Sequence, residues 1–122
     1  MNKVAVIGGG AAGLMAALEA AKNGAMVTIF EHKDRIGKKI LMTGNGKCNF
    51  SNLSFSNQDF HTDNTEVLNK IFKKFSNIDM MHFLIQNGIM VKEKNNYLYP
   101  LTEQASTILE FFRRELEIHH VT

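Results

Sequence analysis

Apolar residues fall into blocks whose spacing changes along the chain. Val4-Ala5-Val6-Ile7 is an unbroken apolar run after Lys3, the pattern of a short buried strand. Glycines interrupt at Gly8, Gly9 and Gly10, and Leu14 to Leu18 then continue as a helix that Gly24 is placed to end. Met26 to Phe30 form a second strand-like run that stops at Glu31. These three pieces predict a strand–helix–strand unit over residues 1–31.

Beyond Glu31 the pattern loosens. Residues 32–37 read as a polar turn, Lys38 to Thr43 as a short helix stopped by Gly44, and residues 54–64 as loop. A helical segment is expected over 65–87. Its first part carries Val67, Leu68, Ile71, Phe72 and Phe75 on one face. Its second part starts at a Ser76 cap with Asp79 at the third position and ends at Asn87-Gly88. A short β-hairpin is expected over 89–99, from Ile89-Met90-Val91 and Tyr97-Leu98-Tyr99 around Lys94-Asn95-Asn96, with Pro100 ending it. A helix capped by Thr102, with Ala105, Ile108, Leu109, Phe112 and Leu116 on its apolar face, and then a strand complete the segment 102–122. In that strand His119 and His120 would point to opposite faces.

The glycines bring in chemistry. Gly8, Gly10 and Gly13 have the GxGxxG spacing, between a predicted strand and a predicted helix. Such a turn leaves the first N–H groups of the helix pointing at one spot, where a diphosphate fits. The first glycine makes the turn, the second admits the pyrophosphate, and the third lets helix pack on strand. Ala11 and Ala12 complete the candidate cofactor turn. Glu31 ends the second strand roughly twenty residues later, where a carboxylate accepts hydrogen bonds from an adenosine ribose. It would repel a 2′-phosphate, so the adenosine half is expected to be that of FAD or NAD. The alternative for these glycines is a packing turn with a solvated Glu31.

The same stretch superficially resembles a secretion signal, but three consecutive glycines would break the apolar helix such a signal needs, and Glu19 follows at once. The run is also too interrupted for a membrane span. Composition adds little. With 122 residues, 44% hydrophobic and 21% charged, the chain suits one soluble domain with a modest core. A net charge of +2 gives no reason to expect nucleic acid or a membrane surface as partner. One cysteine precludes an internal disulfide, which fits a cytoplasmic location.

The second informative stretch runs from Thr43 to Asn52. Gly44, Asn45 and Gly46 permit a concave row of backbone N–H groups, and Asn49, Ser51 and Asn52 add uncharged donors and acceptors. From the residues alone, an anion or carbonyl receptor and an ordinary capped turn are equally good readings. Cys48, as a lone cysteine, reads as a small buried packing residue ahead of a redox group, which would need a partner thiol from elsewhere. A CxxxxC relay is excluded because the residue five positions on is Leu53. Lys38 and Lys39 read first as a solvated face. The histidines have no metal-ligand spacing, so no metal site is assigned.

Taken together, the run Val4 to Gly13, Glu31, the run Ile36 to Asn52 and the segment Tyr99-Pro100-Leu101-Thr102-Glu103-Gln104-Ala105-Ser106 resemble one family. This is the bacterial NAD(P)/FAD-dependent oxidoreductase family of aminoacetone-oxidase-like and dehydro-bile-acid-reductase-like flavoproteins. The TGxGxCNxSN run is the more specific motif, and the resemblance covers essentially the whole chain. It implies an α/β fold, a Rossmann-like FAD/NAD(P)-binding domain with a parallel sheet that is incomplete at the C-terminus. It also implies FAD as cofactor, NAD(P)H as candidate electron donor and a small organic substrate. Lys38, Lys39 and the flavin-side loop 36–52, with Gly44, Asn45, Gly46, Cys48 and Asn49, would then lie along the flavin. No residue is assigned as catalytic.

Members of that family are much longer, and a doubly wound sheet typically has about five strands. The expectation is therefore an N-terminal part of an FAD-dependent oxidoreductase, inactive by itself, with the C-terminal portion of the same enzyme as its missing partner. A non-catalytic NAD- or adenine-nucleotide-binding module is the alternative; a second glycine–asparagine loop after Glu31 disfavours it. Flavin-linked RNA modification rests on scattered lysines alone, and the small charge argues against it.

Overall fold

The computed structural model describes residues 1–122. Strand β1 (Lys3–Ile7), helix α1 (Ala11–Lys22) and strand β2 (Met26–Phe30) form the first unit. The strands pair in parallel, from Lys3 opposite Met26 to Ile7 opposite Phe30. Helix α1 buries Leu14, Ala17 and Leu18, an i, i+3, i+4 stripe, while Val27 is buried from β2. At its C-terminus Gly24 N–H bonds to Ala21 C=O and Ala25 N–H to Ala20 C=O, with Gly24 at φ +82°. This paired closure satisfies carbonyls the helix would otherwise leave unbonded.

A smaller unit follows. Strand β3 (Ser51–Asn52) and strand β4 (Val91–Lys94) flank strand β5 (Tyr97–Pro100) in an antiparallel sheet of order β3-β5-β4. Helix α2 (Thr65–Lys74) and helix α3 (Asn77–Gln86) lie between β3 and β4 in sequence. Asn64 caps α2, and Ser76 with Asp79 forms a reciprocal capping box on α3. The hairpin differs from the expected one. Ile89 and Met90 precede the strand, and β4 runs on to Lys94 because Asn95 and Asn96 alone make the turn. Their φ values, +53° and +68°, are those of a two-residue turn matched to strand twist. Strand β3 was not expected at all.

Helix α4 (Ala105–Ile118) packs on α1 and buries Ile108, Leu109, Phe112 and Leu116. Burying side chains of this size is worth roughly 1.5–3 kcal/mol each. Two expectations over 102–122 are corrected. The cap is Gln104, not Thr102, because Glu103 takes a left-handed turn (φ +51°) ahead of the helix. The expected strand is mostly helix and turn, since Leu116 extends the buried stripe and carries α4 to Ile118. His120, at φ +55°, closes α4 with the same bond pair seen after α1, from His120 N–H to Glu117 and Val121 N–H to Leu116. The histidine pair therefore lies in a helix end. Only Thr122 reaches β2, donating to Val27 C=O at 3.1 Å and accepting from Ile29 N–H at 2.6 Å. That is the bonding of a parallel neighbour on the edge of β2 away from β1.

The sheet is covered on one face only. Ile7 is 82% exposed, and Met26 and Phe30 are more than half exposed. Helix α2 buries no residue, so Val67, Ile71 and Phe75 remain open. No helix is long and apolar enough to cross a membrane.

Candidate dinucleotide-binding site

Strand β1 runs into α1 through Gly8, Gly9 and Gly10. Gly8 sits at φ +97° and its N–H bonds to Phe30 C=O at 2.8 Å, which ties the turn to the end of β2. A Cβ on Gly13 would stand 1.9 Å from Gly8 O, so the third glycine permits the close packing of helix on turn. A Cβ on Gly10 would meet nothing within 4 Å. Gly10 therefore borders open space, where a methyl group would intrude on a ligand and not on the protein.

Helix α1 has no side-chain cap and no acidic residue in its first turn. Leu14 N–H is the first of the helix to find an acceptor, in Gly10 C=O at 2.9 Å. The N–H groups of Gly10, Ala11, Ala12 and Gly13 bond to no protein atom. Four donors converge with the positive end of the helix dipole on the space beside Gly10, the arrangement that receives a phosphate.

Glu31 stands across from the turn. Gly9 N–H donates to its Oε2 at 2.7 Å and Lys33 N–H to its Oε1 at 2.8 Å. His32 Nδ1 lies 3.1 Å from Oε1. The bonds from Lys33 and Gly9 hold its carboxyl below the usual range. Oε2, with a single donor, keeps a further lone pair for a ribose hydroxyl. Gly9 was not among the expected site residues, yet it joins three segments. It donates to Glu31, accepts from Gly37 N–H at 2.6 Å, and leaves no room for a Cβ, which would lie 2.7 Å from Ile36 Cγ2. The unbroken Gly8-Gly9-Gly10 triplet was the signal for it.

A cleft of about 410 Å³ gathers Gly9, Gly10, Glu31, Lys38 and Lys39 with Lys33, Arg35 and Met42. The two expected lysines differ. Lys38 Nζ is held by Asp34 Oδ1 at 3.0 Å, whereas Lys39 has no carboxylate partner.

Residues Ile40–Gly46 form tight helical turns broken at Thr43, Gly44 and Asn45, not the single short helix expected. Gly44, Asn45, Gly46 and Cys48 all take positive φ, and a Cβ on Gly44 would lie 2.5 Å from Asn49 N. The loop is braced by the segment 97–106. Asn49 Nδ2 donates to Ser51 C=O at 2.8 Å and Leu98 C=O at 3.1 Å, and Phe50 N–H also bonds to Leu98 C=O. Glu103 draws in Lys92 Nζ at 2.9 Å and Lys47 Nζ at 3.7 Å. The side-chain bond from Lys92 lowers its carboxyl pKa. Cys48 is buried, and burial pushes its thiol up.

Beside this loop an apolar chamber of about 300 Å³ is lined by Ala11, Met15, Ile40, Thr43, Cys48 and Asn49, among others. Gly10 and Ala11, like Met42 and Thr43, are consecutive residues that border the polar cleft and the chamber in turn. Gly44, Asn45 and Gly46 shape the loop and line neither space. No cluster of metal-ligating side chains is present.

A family model described as HI0933-like protein Rossmann domain matches residues 2–122. The chain is 39% identical over 118 residues to a 3-dehydro-bile acid delta(4,6)-reductase of Clostridium scindens, covering 95% of this chain and 29% of that protein. It is 35% identical over 112 residues to a ribosomal RNA dihydrouridine synthase of Haemophilus influenzae, with 92% and 28% covered. The protein of that name from Escherichia coli is 29% identical over 117 residues, with 96% and 29% covered. The chain thus spans less than a third of the length of these relatives. Among solved structures, Thermovibrio ammonificans THI4 superposes with a TM-score of 0.61 at 19% identity, over 99% of this chain and 37% of that one. That likeness concerns the fold.

Proposed function

The chain belongs to the family of HI0933-like protein Rossmann domains, and from that premise we propose that it carries the adenosine and pyrophosphate half of an FAD site in a flavin-dependent oxidoreductase. The observation that carries this reading is the run of N–H groups without acceptors, Gly10 to Gly13, beside open space at Gly10 and a pre-oriented Glu31. The residues present fit the cofactor: a Cβ at Gly10 would fill the cradle, and the donors suit a diphosphate. The N–H groups of Gly10 to Gly13 would hold the pyrophosphate, Glu31 the ribose, and Lys39 would add positive charge. Ala11, Thr43, Cys48 and Asn49 would border the flavin side, where the apolar lining keeps water out. Bound there, the flavin would supply hydride transfer, drawing electrons from a reduced nicotinamide dinucleotide.

Completion of the site is proposed to fall to a C-terminal portion corresponding to the length the relatives have beyond this match. The names of the relatives share one outcome, a carbon–carbon double bond reduced, and we extend that reaction class to this chain. Two of the three are named for ribosomal RNA, which weighs against excluding nucleic acid on the small net charge. Competition binding tests the cofactor. FAD should outcompete NAD, because only FAD uses the chamber beside Cys48, and NADP should bind weakest because Glu31 opposes its 2′-phosphate. Equal binding of NAD and FAD would favour the plain nucleotide-binding module.

A further inference from the structure

A groove of about 490 Å³ lies between β3 and the apolar face of α2 and shares only Asn49 with the residues given to the cofactor. Phe55, Phe60 and Phe72 line it as a mutually packed trio, with ring centroids 4.9–5.4 Å apart. Asn49, Phe50, Phe75 and Met80 border both this groove and the chamber beside Cys48, so the two spaces adjoin along these four residues. Its size falls within the range of small-molecule sites.

The lining carries no charged side chain. An ionic ligand group would be desolvated there without a partner, which is costly. A polynucleotide would need lysine or arginine along the groove for its phosphates, and none lines it. The polar groups are amides and hydroxyls. Asn52 Oδ1 accepts from Ser54 N–H at 2.8 Å, while Asn52 Nδ2 has no protein acceptor and can donate to a carbonyl.

We propose that the groove and the chamber form one trench, of which this groove is the substrate end, taking an uncharged, largely apolar ring bearing a carbonyl. The ring packs against Phe55, Phe60 and Phe72, and the Asn52 amide receives the carbonyl. The proposal rests on the FAD reading for the other end of the trench.

The test uses prodan, an uncharged naphthalene ketone whose emission shifts to the blue in apolar surroundings, titrated into the full chain with and without FAD. Saturable, blue-shifted binding is expected. Phe60→Ser and Ile71→Ser, both at exposed groove positions, should each weaken it, Phe60→Ser by roughly tenfold. Met26→Thr, on the open sheet face, should leave it unchanged. Bound FAD should quench the prodan emission by energy transfer without releasing the probe. Indifference to both groove substitutions in folded variants, equal loss in Met26→Thr, or displacement by oligouridine would overturn the assignment. Should FAD fail to bind while prodan still depends on Phe60, the cofactor reading falls and the groove assignment stands.

Discussion

A Cβ atom on Gly13 would lie 1.9 Å from the carbonyl oxygen of Gly8, so these two residues allow no side chain between them. Gly13→Ala must push α1 off the turn. It should destabilise the fold by about 3 kcal/mol, the upper range for overpacking in a rigid setting. Urea unfolding checks this.

Glu31 makes stability depend on pH. Its folded-state pKa is lowered, so its contribution is fully present above the unfolded value, about 4.3. That contribution is lost as pH falls through the lower folded value. The stability difference between wild type and Glu31→Gln should be constant at neutral pH and shrink once pH drops below about 4. Thermal unfolding of both proteins across that range decides it. A difference that grows on acidification would contradict the hydrogen bonds from Gly9 and Lys33.

Asn49 holds the loop to β3 through a bond to Ser51 C=O and to β5 through a bond to Leu98 C=O. Asn49→Asp removes both donors and sets a carboxylate against those oxygens. A loss of about 2–3 kcal/mol is expected, accompanied by faster amide exchange across residues 43–50.

Lys38 and Lys39 should separate in function. Lys39→Gln should weaken FAD binding by about 1 kcal/mol, roughly fivefold, and reduce its salt dependence. Lys38→Gln should do less, because Asp34 already neutralises that ammonium. Titrations at two salt concentrations distinguish them.

The parts of the fold legible in the sequence are those fixed by local signals. The Val4–Ile7 run, the glycine spacing and the Gly24 stop lie within one short segment, and each acts through its own backbone. Strand β3 was not legible because Ser51 and Asn52 are strand only through pairing with Leu98 and Tyr97, which lie 45 or more residues away. The same distance hid the support of the loop, since nothing near Lys47 announces Glu103. The end of α4 was not legible because no glycine marks it: Leu116 already belongs to the helix face, and His120 takes the left-handed conformation usually left to glycine. Gly9 was passed over because the GxGxxG spacing assigns it no role, although its own N–H orients Glu31.

FAD titrated into the purified chain and into Gly10→Ala, followed by flavin fluorescence, bears most directly on the proposed site. Gly10 has space for a methyl group and an ordinary φ of −80°, so the variant should unfold like wild type. The predicted result is saturable binding by wild type, competed by ADP, and at least about tenfold weaker binding by Gly10→Ala. No saturable binding by wild type, or equal binding by the two proteins, would contradict a dinucleotide seated on the Gly10–Gly13 donors.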